Sequence, residues 1–241
     1  MVELSGVSFG YQSDKNVLDN LNLRMEEGRF YGLLGMNGSG KTTLLKLIAG
    51  KLFAHGGEIY VDGRNLRERD VETLQKVFML PADFIFPNMS LEQFLAIYSE
   101  FYPEFRKEVL NDCLVNFEIQ RDIKNLNQLS LGEKHKVAFS IALSLGTKIV
   151  LLDEAANGMD IPARKMFRKL LMKHVREDQI VVLSTHIVQD IENLLTDVIV
   201  LRKDAPVYAA SLEEIASRYS FGIQSNEEGV LYAEACTEGT M

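Results

Sequence analysis

Two patterns of hydrophobic and polar residues occur along this chain, and together they predict its strands and helices. Short apolar runs bounded by glycine, proline or acidic residues indicate strands, whereas apolar residues three or four positions apart indicate helices. Strands are predicted at 2–9, 30–34, 57–63, 76–80, 148–153, 179–184 and 198–201. Predicted helices at 43–50, 132–144 and 160–175 follow or precede these strands. Such alternation is typical of an α/β fold with a largely parallel sheet.

The two ends of the chain follow the pattern less clearly. Within the first 30 residues, we expect short strands separated by turns at Asp19-Asn20 and at 26–28. Near the C-terminus, a helix is predicted around Leu212 to Tyr219, followed by an acidic tail with weak patterning. The pattern gives no role for this tail.

Aromatic residues are concentrated in one segment: positions 84–117 hold eight of the chain's 21. Ser90 to Gln93 has the spacing of a capping box and predicts the start of a helix, and Pro103 predicts the start of another. We interpret 85–128 as a small helical lobe inserted into the sheet domain. Its aromatic side chains form either the core of that lobe or a docking surface for a partner helix. We expect a core role for most of them and docking for the remainder.

Composition narrows the class of protein. The length of 241 residues suits one large α/β domain, and 46% hydrophobic with 25% charged residues is ordinary for a globular protein. A net charge of −8 argues against a broad surface for nucleic acid, so no nucleic-acid partner is expected. Cys113 and Cys236 lack metal-ligand spacing and suit two ordinary thiols in a reducing compartment. With no signal-peptide pattern and no apolar run of about 18 residues, we expect a cytoplasmic protein that needs a partner to work at a membrane.

The segment Gly35–Thr42 carries the strongest chemical signal, because it matches the P-loop pattern of Gly, four residues, then Gly-Lys-Thr. It lies between a predicted strand and a predicted helix, which is the context the motif requires. Its backbone N–H groups and the helix N-terminus would surround a phosphate. Lys41 would reach the β- and γ-phosphates, and Thr42 would ligate Mg²⁺. The predicted phosphate-binding residues are Gly35, Asn37, Gly38, Ser39, Gly40, Lys41, Thr42 and Thr43.

Acidic residues and a histidine follow two other predicted strands. Asp153 ends the strand at 148–153 and suits a Mg²⁺ ligand, and Glu154 is placed to polarise an attacking water. Ligands in open α/β sheets bind at the carboxyl ends of strands. His186 follows the strand at 179–184, which we expect to neighbour the first one. It would then reach the γ-phosphate and hold the water and Glu154 in place.

A second anion site is predicted at the start of the helix near Gly132, where the Ser130 hydroxyl and backbone N–H groups cluster. One domain then has two phosphate sites for one nucleotide. A head-to-tail dimer resolves this, because each nucleotide would lie between the P-loop of one subunit and Ser130 of the other.

The order and spacing of these motifs resemble those of ABC-type ATPases, specifically the nucleotide-binding subunits of ABC transporters. The matching segments are Leu129–Glu133, similar to the Leu-Ser-Gly-Gly-Gln signature; Leu152–Glu154, the second Walker motif; Asn157–Asp160, the D-loop; and Ser184–His186, the switch histidine. The resemblance implies a Mg²⁺-dependent ATPase of the ABC fold: a mixed sheet core, antiparallel N-terminal strands and an inserted helical lobe. The implied domain covers 1–205, with 206–241 as an extension.

The resemblance also implies roles that residue chemistry alone does not give. Tyr11 would stack on adenine, although by itself it is only an aromatic residue at a strand end. The opposite subunit would contribute Ser130, Gly132, Glu133 and Asp160 to each ATP. The resemblance further implies a homo- or heterodimer bound to membrane-spanning subunits at the inner face of the membrane.

Four departures from the family pattern bear on activity. Leu131 and Glu133 replace Gly and Gln of the signature, as in exporter ATPases whose membrane subunits are separate polypeptides. Glu133 adds negative charge near the partner's phosphates. Ala155 replaces a usual proline, with little expected effect. Ala82-Asp83 stands where the family has a Gln that links the site to the helical lobe, and this weakens the expectation of coupling more than that of ATP binding.

The sequence therefore predicts the ATPase subunit of an ABC exporter, and three alternatives stay open to differing degrees. A soluble ABC ATPase acting on nucleic acid or the ribosome would have coiled coils, two tandem units or basic surfaces. A regulatory module that holds ATP with weak hydrolysis is motivated by Ala82 and Glu133. A P-loop kinase lacks support, because no acceptor site is evident and the signature would go unexplained.

Overall fold

The computed structural model describes residues 1–12, 15–185, 192–203, 205–223 and 231–235. The strands are β1 Val2–Phe9, β2 Leu18–Met25, β3 Arg29–Leu34, β4 Gly56–Val61, β5 Arg64–Asn65, β6 Val77–Leu80, β7 Ile149–Asp153, β8 Ile180–Ser184, β9 Asp197–Val200, β10 Tyr208–Ser211, β11 Tyr219–Ile223 and β12 Leu231–Ala235. The helices are α1 Lys41–Ile48, α2 Val71–Gln75, α3 Leu91–Phe101, α4 Lys107–Asn116, α5 Leu131–Ser144, α6 Ile161–His174 and α7 Leu212–Arg218. Among the described helices, none is long and apolar enough to cross a membrane.

Two large sheets form the framework. One is antiparallel, with the strand order β2-β1-β4-β5. The other has the order β10-β9-β3-β8-β7-β6, and all its neighbouring strands pair in parallel except β10 with β9. This confirms the predicted mixed α/β architecture with antiparallel N-terminal strands. Because β3, β6, β7 and β8 are parallel, their carboxyl ends meet at one edge of the sheet.

The turn predicted at Asp19-Asn20 is wrong, because β2 runs through both residues. Asn20 has a φ of +46°, a left-handed conformation that asparagine tolerates better than most residues. The pairing of β1 with β2 shifts register at this point, between the Val7–Leu21 and Phe9–Leu18 pairs. The polar residues therefore mark an irregularity within a strand and not a chain reversal.

Apolar side chains of α1 fill the core shared by the two sheets, where Leu45, Leu47 and Ile48 are fully buried. The opposite face of the parallel sheet packs against α5 and α6, through Phe139 and Phe167 among others. The glycine loop between β3 and α1 is therefore fixed by buried elements at both of its ends.

The segment 85–128 contains α3 and α4, which belong to the same core as α5. Ser90 caps α3 with the predicted capping box, whereas α4 begins at Lys107 and not at Pro103. The aromatic residues divide between core and surface as expected. Phe86, Phe94 and Phe117 are buried, while Tyr98 is 37% and Phe101 61% exposed. The division of the chain into a domain, a lobe and an extension stays a prediction.

Beyond residue 206 the chain is more ordered than its pattern indicates. The predicted helix is present as α7 and ends at Arg218. It is followed by β11 and β12, an antiparallel pair in the tail for which no element was predicted. The alternation of apolar and polar residues in these two short strands is too weak to predict them.

Cys113 is buried in α4, and this burial raises the pKa of its thiol to about 12. The thiol stays protonated at neutral pH and behaves as a core side chain, as expected for an ordinary thiol. Cys236 lies outside the described residues.

Candidate functional site

The loop between β3 and α1 has the backbone geometry that its glycines permit. Gly40, immediately before α1, has a φ of +99°, and a Cβ there would lie 2.8 Å from Leu18 Cδ2. A larger residue would therefore need both a strained backbone and a shift of the Leu18 side chain. The loop delivers the N-terminus of α1, with its partial positive charge, to the carboxyl edge of the sheet.

Lys41 supplies the positive charge of this loop. Its side chain bends back over the loop, where Nζ donates to the carbonyls of Gly35 at 2.7 Å and Met36 at 3.2 Å. The residue is only 8% exposed. An ammonium group held by two neutral carbonyls keeps its full charge for an anion that enters the loop.

Ser39 gives a test of whether the loop fits a phosphate. Its hydroxyl oxygen is buried and has no hydrogen-bond partner among the described residues. Buried polar atoms in native proteins nearly always have a partner. A phosphate oxygen in the loop would accept the missing hydrogen bond, so the residues present fit the group that the motif predicts.

The P-loop is joined to the next motif by a direct contact. Thr42 Oγ1 donates to Asp153 Oδ2 at 2.7 Å, and Asp153, the last residue of β7, is 1% exposed. A hydroxyl and a carboxylate are the hard oxygen ligands that Mg²⁺ prefers. The structure therefore brings together the two residues predicted to hold the metal.

Glu154 follows β7 in a strained conformation, with a φ of +50°. A non-glycine residue in this region costs about 1–3 kcal/mol, a cost typical of functional sites. Its backbone N–H donates to the Ser184 carbonyl at 2.9 Å, and Asn157 Nδ2 donates to its Oε2. These two contacts fix the carboxylate at the edge of the sheet where the P-loop also begins.

Ser130 lies at the N-terminus of α5, as its N-cap residue. Ser130 Oγ donates to Glu133 Oε2 at 2.6 Å and accepts the Glu133 backbone N–H at 3.3 Å, and the Ser130 N–H donates to the same Oε2 at 2.9 Å. The hydrogen bonds from Ser130 hold the pKa of Glu133 below its usual value, so the carboxylate is ionised at neutral pH. Within the described residues, the side-chain hydrogen bonds of Ser130 go to Glu133 and do not reach the P-loop.

Two residues beside Ser130 complete this surface. Gly132 packs closely on the loop after β7, since a Cβ on it would lie 3.3 Å from the Gly158 carbonyl oxygen. Asp160 caps α6 by accepting the Ala163 N–H at 2.8 Å, as predicted. The starts of α5 and α6 therefore lie side by side.

Comparison with known families decides the identity of the fold: residues 18–157 match the family model described as ABC transporter. This chain belongs to the ABC transporter family. NatA, an ABC transporter ATP-binding protein of Bacillus subtilis, is 30% identical over 225 residues, which cover 89% of this chain and 91% of NatA. The ABC transporter ATP-binding protein YtrB of the same species is 28% identical over 220 residues, which cover 91% of this chain and 75% of YtrB.

Two further comparisons agree. The bacitracin transport ATP-binding protein BcrA of Bacillus licheniformis is 30% identical over 191 residues, which cover 78% of this chain and 62% of BcrA. A solved structure of an ATP-binding subunit of an ABC transporter superposes with a TM-score of 0.81 at 23% identity, and covers 90% of this chain and 92% of that one. The chain is thus an ABC transporter ATP-binding protein, of a family that in general hydrolyses ATP with Mg²⁺.

His186 cannot be compared with its predicted position, because it lies outside the described residues. The strand that precedes it does lie where expected, since β8 pairs with β7 and Asp153 is the register partner of Ser184. The role of His186 in this ABC ATPase stays a prediction.

Tyr11 lies beside the nucleotide loop of the ABC ATPase. Its ring is 61% exposed and packs edge-on against Phe9, and its hydroxyl lies 3.2 Å from Thr43 Oγ1. An exposed ring anchored near the P-loop helix suits a stacking platform. Stacking on adenine itself stays a prediction.

Sequence reasoning missed two polar residues of the site. Asn157 was recognised only as part of the D-loop, and its contact with Glu154 depends on the turn after β7. His135, one helical turn after Leu131, is 5% exposed and packs against that same turn. In the pattern it is simply a polar residue within an apolar helix.

Proposed function

We propose that this chain powers an ABC exporter by hydrolysing Mg²⁺-ATP, and that it acts through membrane-spanning subunits on separate polypeptides. The contact between Thr42 and Asp153 carries the proposal, because it joins the phosphate loop to the strand that ends beside Glu154. The export direction is supported by the signature variant and by the name of BcrA, which gives bacitracin as the compound transported.

Different residues carry out phosphate binding, metal binding and proton transfer in the proposed hydrolysis. The P-loop N–H groups and Lys41 bind the phosphates, and Thr42 and Asp153 hold Mg²⁺, which when bound neutralises the charge that develops on the phosphate oxygens. Glu154 accepts the proton of the attacking water, and Asn157 orients its carboxylate. The role proposed for His186 is to hold the attacking water and Glu154 in place at the γ-phosphate.

The second half of each ATP site comes from a facing subunit, in a homodimer or a heterodimer. The proposed contributions are those of Ser130, Gly132, Glu133 and Asp160. Their proximity supports this arrangement, because Gly132 at the start of α5 lies against Gly158, two residues before Asp160, and helix N-termini favour anions. ATP binding closes the dimer, and hydrolysis reopens it.

A groove of about 400 Å³ between the loop after β6 and α3 is the proposed site for a helix of the membrane subunit. Apolar side chains line it, and Ile85 is 88% and Ile97 49% exposed. Asp83, which stands in the region of the family's Gln, lies on its rim. A helix docked in this groove would hold the protein at the cytoplasmic face of the membrane. It would also lie beside Leu80, the last residue of β6, which lines the groove.

Phosphate release by the purified protein, with Glu154→Gln and Lys41→Ala as variants, tests the proposal. We expect Glu154→Gln to lower turnover by roughly 100-fold or more while ATP still drives dimerisation. Lys41→Ala should lose both turnover and ATP-driven dimerisation. Unchanged hydrolysis by Glu154→Gln would reject the role of this carboxylate. Purification from detergent-solubilised membranes should recover the spanning subunit.

One observation favours a second function, that of a module which holds ATP with weak hydrolysis. The proton of the Ser130 hydroxyl is already engaged by Glu133 and is not free for a phosphate. ATP binding without phosphate release, both alone and with the membrane subunit, would support this alternative.

A further inference from the structure

Ser184 has a buried hydroxyl that the proposed hydrolysis does not use. It is the last residue of β8 and is only 2% exposed. Its carbonyl accepts the Glu154 N–H, but its Oγ has no hydrogen-bond partner among the described residues. Because buried hydroxyl groups in native proteins nearly always have a partner, this one requires an explanation.

The alternation of side chains along β8 shows which face of the sheet Ser184 occupies. Leu183 belongs to the core that contains α5 and α6, whereas Val182 belongs to the core that contains α1. Successive side chains of a strand point to opposite faces, so Ser184 is on the same face as Val182. The hydroxyl therefore lies on the side of the sheet that carries α1 and the P-loop.

The strands on either side of β8 give the hydroxyl one apolar and one polar neighbour. Ser184 is the register partner of Leu33 in β3 and of Asp153 in β7. Adjacent strands are about 4.8 Å apart, which brings side chains on the same face close together. Leu33 is fully buried and has no polar side-chain atom. Asp153 also faces α1, because its Oδ2 accepts from Thr42.

The hydroxyl thus lies next to the two proposed metal ligands without bonding to either of them. Among the described residues, Thr42 and Asp153 bond to each other and not to Ser184 Oγ. Mg²⁺ gives up its water ligands reluctantly and usually keeps several of them when a protein binds it. Each such water donates hydrogen bonds, and a serine hydroxyl oxygen can accept one.

We propose that Ser184 is a positioning residue of the Mg²⁺ site, whose hydroxyl accepts a hydrogen bond from a metal-bound water beside Asp153. This inference rests on the proposed function. Residues that orient the ligands of a metal in this way typically contribute 10- to 100-fold, as an order of magnitude, to metal affinity. Ser184 would contribute to metal binding and not to phosphate binding, since the P-loop is complete without it.

Two substitutions at this position separate the hydroxyl from the rest of the side chain. Ser184→Ala removes the hydroxyl, and Ser184→Thr keeps it. Mn²⁺ replaces Mg²⁺ in the measurement because its electron paramagnetic resonance signal distinguishes free from bound ion, and saturating ADP supplies phosphates that are not hydrolysed. We expect Ser184→Ala to weaken Mn²⁺ binding to the ADP complex roughly 10-fold. Ser184→Thr should stay within about threefold of the wild type.

Ser144→Ala is the matched control, because it removes a fully buried hydroxyl at the end of α5, where the group donates to the Ile141 carbonyl at 2.7 Å. It should leave the affinity for Mn²⁺ unchanged. The melting temperature without metal or nucleotide is the second measurement. It should stay the same or rise in Ser184→Ala, because a buried hydroxyl without a partner is lost there.

The outcomes separate the role of Ser184 from the proposed function. The role is wrong if Ser184→Ala binds Mn²⁺ as the wild type does, or if the Ala and Thr variants lose the same affinity. It is also wrong if Ser184→Ala lowers the metal-free melting temperature together with Mn²⁺ affinity, since the side chain would then support the fold. If the wild-type ADP complex binds Mn²⁺ no more tightly than ADP alone does, the proposed metal site itself fails.

Discussion

Thr42 and Asp153 are 111 positions apart in the sequence, yet the hydroxyl of one donates to the carboxylate of the other at 2.7 Å. Thr42 lies in the first turn of α1, and Asp153 ends β7, a fully buried strand next to the edge strand β6. Their contact joins the P-loop to the end of β7, where Glu154, the proposed catalytic carboxylate, is the next residue.

Removing the hydroxyl of Thr42 tests this contact. Thr42→Val keeps the shape but offers no oxygen to Mg²⁺, so we expect the Mg²⁺ concentration for half-maximal hydrolysis to rise roughly 10- to 100-fold. Thr42→Ser keeps the oxygen and should stay within a few-fold of the wild type. Equal Mg²⁺ dependence of the Val and Ser variants would show that Thr42 is not a ligand.

Local chemistry explains what the sequence could predict. The P-loop and the capping box at Ser90 depend on residues within a few positions of each other. Long apolar runs likewise identified β7 and β8. The resemblance to ABC-type ATPases then predicts that these parts share one site.

Features that depend on distant contacts were not predictable. The irregularity at Asn20 exists because β1 fixes the register of β2, and the same two residues in isolation favour a turn. The contact of His135 with Gly158 requires α5 to lie against the turn after β7. Neither partner indicates the other in the sequence, because polar residues inside helices are usually solvent-facing.

Glu133→Gln should strengthen ATP-driven dimerisation. The carboxylate accepts the hydrogen bond of the Ser130 hydroxyl and would place a negative charge beside the phosphates of the facing site. An uncharged amide oxygen still accepts from the Ser130 N–H, so the cap of α5 is kept. We expect the dimer of the Glu154→Gln background to form at several-fold lower ATP.

Gel filtration at a series of ATP concentrations measures this effect, and the double variant Ser130→Ala, Glu133→Gln is its control. The gain should shrink in the double variant, since the contribution of the hydroxyl is lost and only the relief of charge repulsion remains. An undiminished gain without Ser130 would mean that the hydroxyl contributes nothing.

Tyr11→Ala should weaken ATP binding if the exposed ring stacks on adenine. Stacking of a base on an aromatic side chain contributes about 1–3 kcal/mol, so the affinity for ATP should fall by roughly 5- to 150-fold. Tyr11→Phe keeps the ring and loses only the contact with Thr43, and its affinity should stay close to that of the wild type.

Inorganic triphosphate distinguishes stacking from a disturbance of the P-loop. It has no base, so Tyr11→Ala should bind it as the wild type does. Titration calorimetry with both ligands gives the comparison. A parallel loss for ATP and triphosphate would show that Tyr11 acts on the loop through Thr43 and not on the base.

Because of Asp62, the stability of the protein should decrease as the pH falls through the acidic range. Its carboxylate accepts from the N-terminal ammonium at 2.8 Å, Lys76 at 3.0 Å and Lys148 at 3.1 Å. Burial by itself raises the pKa of Asp62, but these three cations outweigh it and hold the pKa far below its usual value. A depressed folded pKa contributes stability above the unfolded pKa of about 3.9, and this contribution is lost as pH falls below it.

Asp62→Asn should therefore lower the free energy of unfolding by about 1–3 kcal/mol at pH 7, and the difference from the wild type should shrink as the pH approaches 3. Urea denaturation at a series of pH values measures both effects. Asp122→Asn is the control, because the 2.6 Å ion pair of Asp122 with Lys124 is exposed, with side chains 78% and 81% accessible. Such a pair contributes at most about 1 kcal/mol despite its short distance. A pH-independent loss in Asp62→Asn would mean that the side chain stabilises the fold by packing and not by its charge.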